Sequence, residues 1–355
     1  MIEIDRISKS YGTVEALKEV SLSVAKGEFV SLLGPSGSGK TTLLNLIAGM
    51  IQPSNGRIII DGTDITQLPP SKRGLGMVFQ NYALMPHMTV FDNIAFPLRV
   101  RRVPMPEIRR RVQEVLELVR MPHVAERKPK ELSGGQQQRI SLARCIVYRP
   151  ALILMDEPLG ALDKKLRQEM QIEISRLHRD LGITMLYVTH DQEEALTMSD
   201  RIVLMKEGRC AQVGTCDELY FAPNSPYVAD FIGESNLLPV KLSEPALGTV
   251  TAGLCGVSRN VPPPDFPVRP GQDAVMLVRP EMASLTFEPG PEGALHGRLE
   301  TSLIVGGSLR HVVQLDDGST FLVQEVNHRE RARGEPGAEV WVDWPDTASR
   351  LLQPQ

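Results

Sequence analysis

The sequence has no long hydrophobic run. No stretch of its 355 residues approaches the length needed to cross a bilayer as a helix. Any membrane connection must therefore come through a partner. Residues Met1 to Asp5 lack the basic and apolar regions of a secretion signal, which points to a cytoplasmic protein. A basic excess is also missing. Lys and Arg number 39 against 43 Asp and Glu, for a formal net charge of −4, so nucleic acid is not an expected partner. Cysteine is scarce: Cys145, Cys210, Cys216 and Cys255 show no metal-type spacing and read as free thiols in a reducing compartment. Low-complexity tracts and internal repeats are absent. What remains, 42% hydrophobic and 23% charged, is an ordinary globular composition, and the length suggests two domains.

Up to about Gly233, apolar strand-like runs alternate with helical patterns, the signature of an α/β layer fold. Expected strands are Phe29–Leu33, Ile58–Ile60, Gly76–Phe79, Leu152–Met155, Met185–Val188 and Ile202–Met205. Residues 86–150 read as a mostly helical insert, with helical periodicity through Glu107–Val119 and Gln136–Val147. Beyond Gly233 the texture changes. Val261–Pro264 and Pro267–Gly271 are stiff and turn-rich. Short alternating runs follow at Ala274–Val278, Leu295–Thr301, Leu309–Leu315, Thr320–Val323 and Val340–Asp343, with Asp317-Gly318 as a hairpin signal. The expectation is an α/β domain over 1–235 and a small β-barrel domain over 236–355.

The most informative stretch is Gly34-Pro35-Ser36-Gly37-Ser38-Gly39-Lys40-Thr41, set behind the apolar run Phe29–Leu33 and ahead of a helical pattern from Thr42. It matches the full phosphate-loop pattern in its strand–loop–helix context. Glycines let successive backbone N–H groups turn toward phosphate oxygens where a Cβ would collide. Lys40 would reach the β- and γ-phosphates, the Thr41 hydroxyl would complete a Mg²⁺ shell, and the helix dipole would face the anion.

Two further motifs narrow the class. Leu152–Glu157 is an apolar strand ending in two carboxylates, with Asp156 expected beside Mg²⁺ and Glu157 expected to polarise an attacking water. Leu132–Arg139 reads L-S-G-G-Q-Q-Q-R. Here Ser133 would cap a helix while the two glycines ahead of Gln136, Gly134 and Gly135, leave backbone N–H groups bare, a second phosphate cradle. One chain already has the first cradle, so the second is expected to close on the nucleotide of another copy.

In these motifs the chain resembles the ATP-binding subunits of ABC transporters. Gly34–Thr41 is similar to the Walker A loop, Leu132–Arg139 to the signature LSGGQ, and Leu152–Glu157 to Walker B. By the same resemblance Gln80 is the Q-loop glutamine, contacting Mg²⁺ and water. Asp163, in Ala161-Leu-Asp163, belongs to the D-loop, which crosses to the other subunit. His190 is the switch histidine at the γ-phosphate, and Tyr11 the aromatic that stacks on adenine. The resemblance implies a P-loop NTPase core with a helical subdomain. It also implies a hydrolysing, head-to-tail homodimer, peripheral at the cytoplasmic face of the membrane, with two ATP and Mg²⁺ between the copies and two separate transmembrane permease subunits as partners.

The C-terminal β-rich extension is similar to the TOBE domain of importer ATPases. Arg279-Pro280-Glu281 resembles its "RPE" element and reads as a turn packed on the core. The run Leu309–Gly318 looks most like the branch serving polyamines, opines and phosphonates. Sugar, ferric-ion and sulfate importers share this layout, and in such systems an extracytoplasmic solute-binding protein selects the cargo.

Overall fold

The structure is a computed structural model that describes residues 1–243, 245, 248–328 and 334–354. The chain divides into two compact units, Met1–Cys216 and Asp217–Gln355. In the first, β1 (Ile2–Tyr11) and β2 (Val14–Val24) form a hairpin. Next come β3 (Phe29–Leu33), α1 (Lys40–Ala48), β4 (Asn55–Ile60), β5 (Thr63–Asp64) and β6 (Gly76–Val78). The helical stretch holds α2 (Val90–Val100), α3 (Met105–Leu118) and α4 (Gly134–Ile146). The unit closes with β7 (Leu152–Asp156), α5 (Lys164–Leu181), β8 (Thr184–Thr189), α6 (Gln192–Met198), β9 (Arg201–Lys206) and β10 (Arg209–Gly214).

These strands make two sheets, an antiparallel β2-β1-β4-β5 and a six-stranded β10-β9-β3-β8-β7-β6. In the second, β9, β3, β8, β7 and β6 run parallel. β3 and β8 are buried at every residue and β7 at all but its last, which is why they read as unbroken apolar runs. Successive side chains alternate between two cores. Phe29, Ile153, Met155, Met185 and Tyr187 face one, shared with α2, α3 and α4. Val30, Leu32, Leu152, Leu154, Leu186 and Val188 face the other, shared with α1 and the antiparallel sheet. This two-sided burial fixes the register and holds all the parallel C-terminal strand ends at one edge.

The β1–β2 hairpin was not expected, because register shifts at Ile4/Ile7, Ile7/Lys9 and Lys9/Ser10 break its alternation. α2 falls within the expected helical insert, though its own periodicity was not picked out, and it carries Pro97 within it.

Arg73 locks the far end of α1. The residue is 6% exposed, and its guanidinium donates to the carbonyls of Leu46, Ile47, Thr66 and Leu68 at 2.7 to 2.9 Å. A cation there satisfies orphan carbonyls at the helix C-terminus and complements its dipole. Gly49 follows in the left-handed region (φ 79°), and a Cβ there would collide with the Arg73 guanidinium. We predict that Arg73→Met destabilises the chain by about 3 kcal/mol, since four buried carbonyls lose a charged donor. Urea unfolding measures this, and a change below about 0.5 kcal/mol, the scale of a neutral surface substitution, would refute the assignment.

The second unit follows α7 (Cys216–Phe221) with α8 (Pro226–Ile232), β11 (Asn236–Leu242), β12 (Val250–Leu254), β13 (Val257–Val261) and β14 (Asp273–Val278). After these come β15 (Ser284–Thr286), β16 (Leu295–Val305), β17 (Ser308–Leu315), β18 (Thr320–Val326), β19 (Glu339–Asp343) and β20 (Arg350–Leu352). Two five-stranded antiparallel sheets, β13-β12-β11-β14-β20 and β15-β19-β16-β17-β18, enclose one apolar core. This is the expected small barrel-like architecture, and the Asp317-Gly318 turn joins β17 to β18. The expected break at 235/236 coincides with the start of β11, whereas the compact units part at Cys216/Asp217. The reason lies in α8. Its Ala229 packs on Leu277 and Leu352, and Arg279 reaches back to the Ala229, Gly233 and Glu234 carbonyls. Arg279 also stacks on Tyr220, so the Arg279-Pro280-Glu281 turn is packed as expected. Asn236, 3% exposed, pairs with the backbone of Leu322 like a strand, donating to its carbonyl at 2.8 Å and accepting from its N–H at 2.7 Å.

Candidate active site

Parallel strands deliver their loops to one edge, and four of the expected motifs sit there. The phosphate loop leaves β3, Gln80 lies just beyond β6, Asp156 and Glu157 end β7, and His190 follows β8. Strand register sets their height, pairing Leu33 with Thr189 and Asp156 with Val188.

The loop is held in its turned shape by backbone that only glycine tolerates. At Gly34 (φ 150°) a Cβ would collide with the Met205 carbonyl. Lys40, 5% exposed, folds over the loop and donates to the Gly34 and Pro35 carbonyls at 2.7 and 3.0 Å. Burial pushes its ammonium below the ordinary lysine value, while Glu157 and Asp156 pull it back up. The Ser38 hydroxyl is buried without a hydrogen-bond partner. Pro35, Ser36, Gly37 and Thr41 are exposed, and Gly39 and Thr42 are half-buried.

The Thr41 hydroxyl donates to Asp156 at 3.3 Å. Burial raises the Asp156 carboxyl above its ordinary value, and the Thr41 hydrogen bond opposes this. Glu157 has a left-handed backbone (φ 42°) and approaches His190 Nδ1 at 3.2 Å through Oε2. Gln80 is exposed, and its amide nitrogen lies 3.9 Å from where a Cβ on Gly160 would stand, which places it beside the loop that follows Glu157.

The residues present fit a nucleoside triphosphate and Mg²⁺. An unpartnered buried hydroxyl, a desolvated ammonium against carbonyls, and a glycine-rich helix N-terminus are donors suited to phosphate oxygens. Thr41 and Asp156 form a hard oxygen pair of the kind Mg²⁺ takes.

The other expected residues lie apart from this cluster. Ser133 and Gln136 cap α4 reciprocally, Ser133 Oγ accepting from Gln136 N–H at 3.4 Å and Gln136 Oε1 from Ser133 N–H at 3.0 Å. Gly134 and Gly135 form the first turn of α4, packed on Leu162 and Leu166. Asp163 is exposed and caps α5 through Leu166 N–H at 2.9 Å. Tyr11 stands at the β1–β2 hairpin tip, 52% exposed, with the Lys9 ammonium 5.0 Å from its ring centroid.

The support beneath the site was not expected from sequence. Ser141 and Arg144 of α4 donate to the Tyr82 carbonyl, and Arg144 also to Ala83, which pins the turn after Gln80. Below His190, Asp191 caps α6, and Glu194, 3% exposed, accepts from Tyr187 and Thr189 at 2.7 Å each. Asp191 two residues ahead of Glu193-Glu194 is a cap pattern that sequence alone could have flagged.

Comparison with known proteins agrees with the fold. Residues 17–160 match the ABC transporter family model and residues 276–352 the TOBE domain model. The spermidine/putrescine import ATP-binding protein PotA of Marinobacter nauticus is 44% identical over 350 residues, covering 97% of this chain and 93% of that protein. The protein of the same name from Acidothermus cellulolyticus is 46% identical over 360 residues, covering 99% and 94%. The chain belongs to the ABC transporter ATP-binding proteins. Among solved structures, an ATP-binding cassette captured as a post-hydrolysis dimer bound to ADP and Pi is 34% identical. It covers 61% of this chain and 99% of its own, with a TM-score of 0.54. CbiO1 of Clostridium perfringens, part of an ABC transporter complex, is 29% identical with a TM-score of 0.58, covering 61% and 89%. As an ABC ATPase the chain carries an ATP-binding fold, and its activity is ATP hydrolysis coupled to transport. Among the described residues no helix is long and apolar enough to cross a membrane.

Proposed function

We propose that this ABC ATPase drives uptake of polyamines of the spermidine and putrescine type through separate membrane subunits. The observation that carries the reading is the near-complete coverage of import ATP-binding relatives that bear this cargo in their names. Two copies work head to tail at the inner face of the membrane, each completing the other's site. Ser133, Gly134 and Gly135 of one copy bring helix N–H groups and dipole to the γ-phosphate held by Lys40 of the other. Gln136 steadies that helix start through its cap, and the Asp163 segment meets the facing copy. Tyr11 offers its exposed face to the adenine.

Thr41, Asp156 and Gln80 would hold Mg²⁺, which would supply charge neutralisation at the phosphates. Glu157 takes the proton of the attacking water, and His190, within reach of Glu157, orients it and the γ-phosphate. In the stretch Asn81–Val90 after Gln80, where Tyr82 and Val90 are buried, the exposed residues Asn81, Ala83, Pro86 and His87 are the ones offered to the permease. An extracytoplasmic solute-binding protein delivers the cargo.

Uptake of labelled spermidine and putrescine in cells carrying this chain with its permease subunits tests the cargo. Uptake should be ATP-dependent and vanish when the chain is deleted. Uptake of ferric ion, sulfate or a sugar with no effect on polyamines would overturn the cargo while leaving the motor intact.

A further inference from the structure

Arg167, in the first turn of α5, makes three connections that no motif of the site accounts for. Its Nη2 donates to the Leu162 carbonyl at 3.2 Å, within the Ala161–Asp163 segment. Its Nη1 donates to Asp191 Oδ2 at 3.0 Å, one residue beyond His190. Its Nε is buried, has no hydrogen-bond partner, and lies 3.8 Å from Glu194 Oε1. Asp191 spends its other oxygen on the start of α6, accepting from the N–H groups of Glu193 and Glu194 at 2.9 and 3.3 Å. The N–H of Asp191 in turn donates to Thr189 Oγ1 at 2.9 Å, and Thr189 donates to Glu194.

His190 therefore stands between two residues that are both clamped from below. Its own side chain is free of that clamp, with its ring 59% exposed and its Nδ1 toward Glu157. A planar guanidinium suits this task, since its fork fixes direction as well as charge.

We propose that Arg167 is a positioning residue for hydrolysis. It ties the Ala161–Asp163 segment to the turn that carries His190, so the placement of one sets the placement of the other against Glu157. The inference rests on the reading of Glu157 and His190 as the hydrolytic pair. It adds the means by which contact with a facing copy at the Asp163 segment is passed, within one chain, to the residue at the γ-phosphate. Neither connection runs through the phosphate loop, so nucleotide binding is not expected to depend on it.

The test is steady-state hydrolysis with a parallel nucleotide-binding titration and a thermal melt on the same full-length preparations. Arg167→Met should lower kcat about 10- to 100-fold while KM for ATP and nucleotide affinity stay within about twofold. Arg167→Lys, which keeps the charge but loses the fork, should fall between Met and wild type. Asp191→Asn retains a good helix cap but removes the carboxylate, and should lose kcat in the same way. The double variant R167M/D191N should be no slower than the slower single, because both act through one link.

Wild-type kcat in Arg167→Met overturns the proposal. So does a loss of kcat matched by an equal loss of nucleotide-binding protein, or losses that multiply in the double variant. Each of these would mark an ordinary packing role. Wild-type turnover in His190→Ala would instead overturn the underlying reading of the hydrolytic pair, and the two failures are thereby told apart.

Discussion

Replacing Lys40 with alanine is expected to abolish ATP turnover, lowering kcat/KM for ATP by at least about 10²–10³-fold. The size follows from where the ammonium sits. It is almost fully buried, folded over the loop onto two of the loop's own carbonyls, with Asp156 and Glu157 close enough to act on its charge. Without that charge the same pocket keeps both carboxylates near the anion but loses the ammonium that offsets them. Charge-assisted hydrogen bonds to phosphate are about twice as strong as neutral ones, and here water is largely excluded. Phosphate release and a nucleotide titration on the same sample measure the effect, with circular dichroism to show the fold is retained. Hydrolysis at the wild-type rate would remove Lys40, and with it the assigned site.

The second large effect is expected for Glu157→Gln: hydrolysis falls by about 10²–10⁴-fold, the span of general-base catalysis, while ATP binding persists. The amide keeps the shape of the side chain that faces His190 but cannot take a proton. A chain that binds ATP without consuming it should hold the closed, two-copy state, since the nucleotide favours that state and its hydrolysis ends it. Light scattering of this variant with and without Mg-ATP should show mass rising from one chain toward two. A variant that binds ATP and stays at one chain would refute the head-to-tail arrangement. Full hydrolysis would refute the role of Glu157.

Most of what lies at the strand ends could be read in the sequence, and the reason is local. A loop that must turn without Cβ atoms writes its own glycines, as at Gly34. A strand buried on both faces writes an unbroken apolar run, as at Leu152–Met155. The same logic explains the omissions. The N-terminal hairpin is bulged, so buried residues fall at Ile4 and Ile7 rather than on alternate positions. Pro97 sits inside a helix because tertiary packing of Ile94, Ala95 and Leu98 outweighs the local breaker signal. The clamp beneath His190 was hidden for a different reason. Asp191-Gln192-Glu193-Glu194 looks like a solvated acidic helix start, and only the fold shows that Glu194 is enclosed by Tyr187, Thr189 and Arg167. Arg167 itself lies 24 residues before Asp191, too far for any spacing rule to connect them.

The Asn236 side chain has a bearing on how this subunit behaves while it waits for its partners. β18 is an edge strand of its sheet, with no strand paired on its outer side. Such a rim invites a strand from any passing chain, a common start of fibril growth. At Leu322 the invitation is withdrawn, because the carboxamide of Asn236 occupies both the carbonyl and the N–H as a neighbouring strand would. A single carboxamide thus closes this edge strand at its Leu322 position.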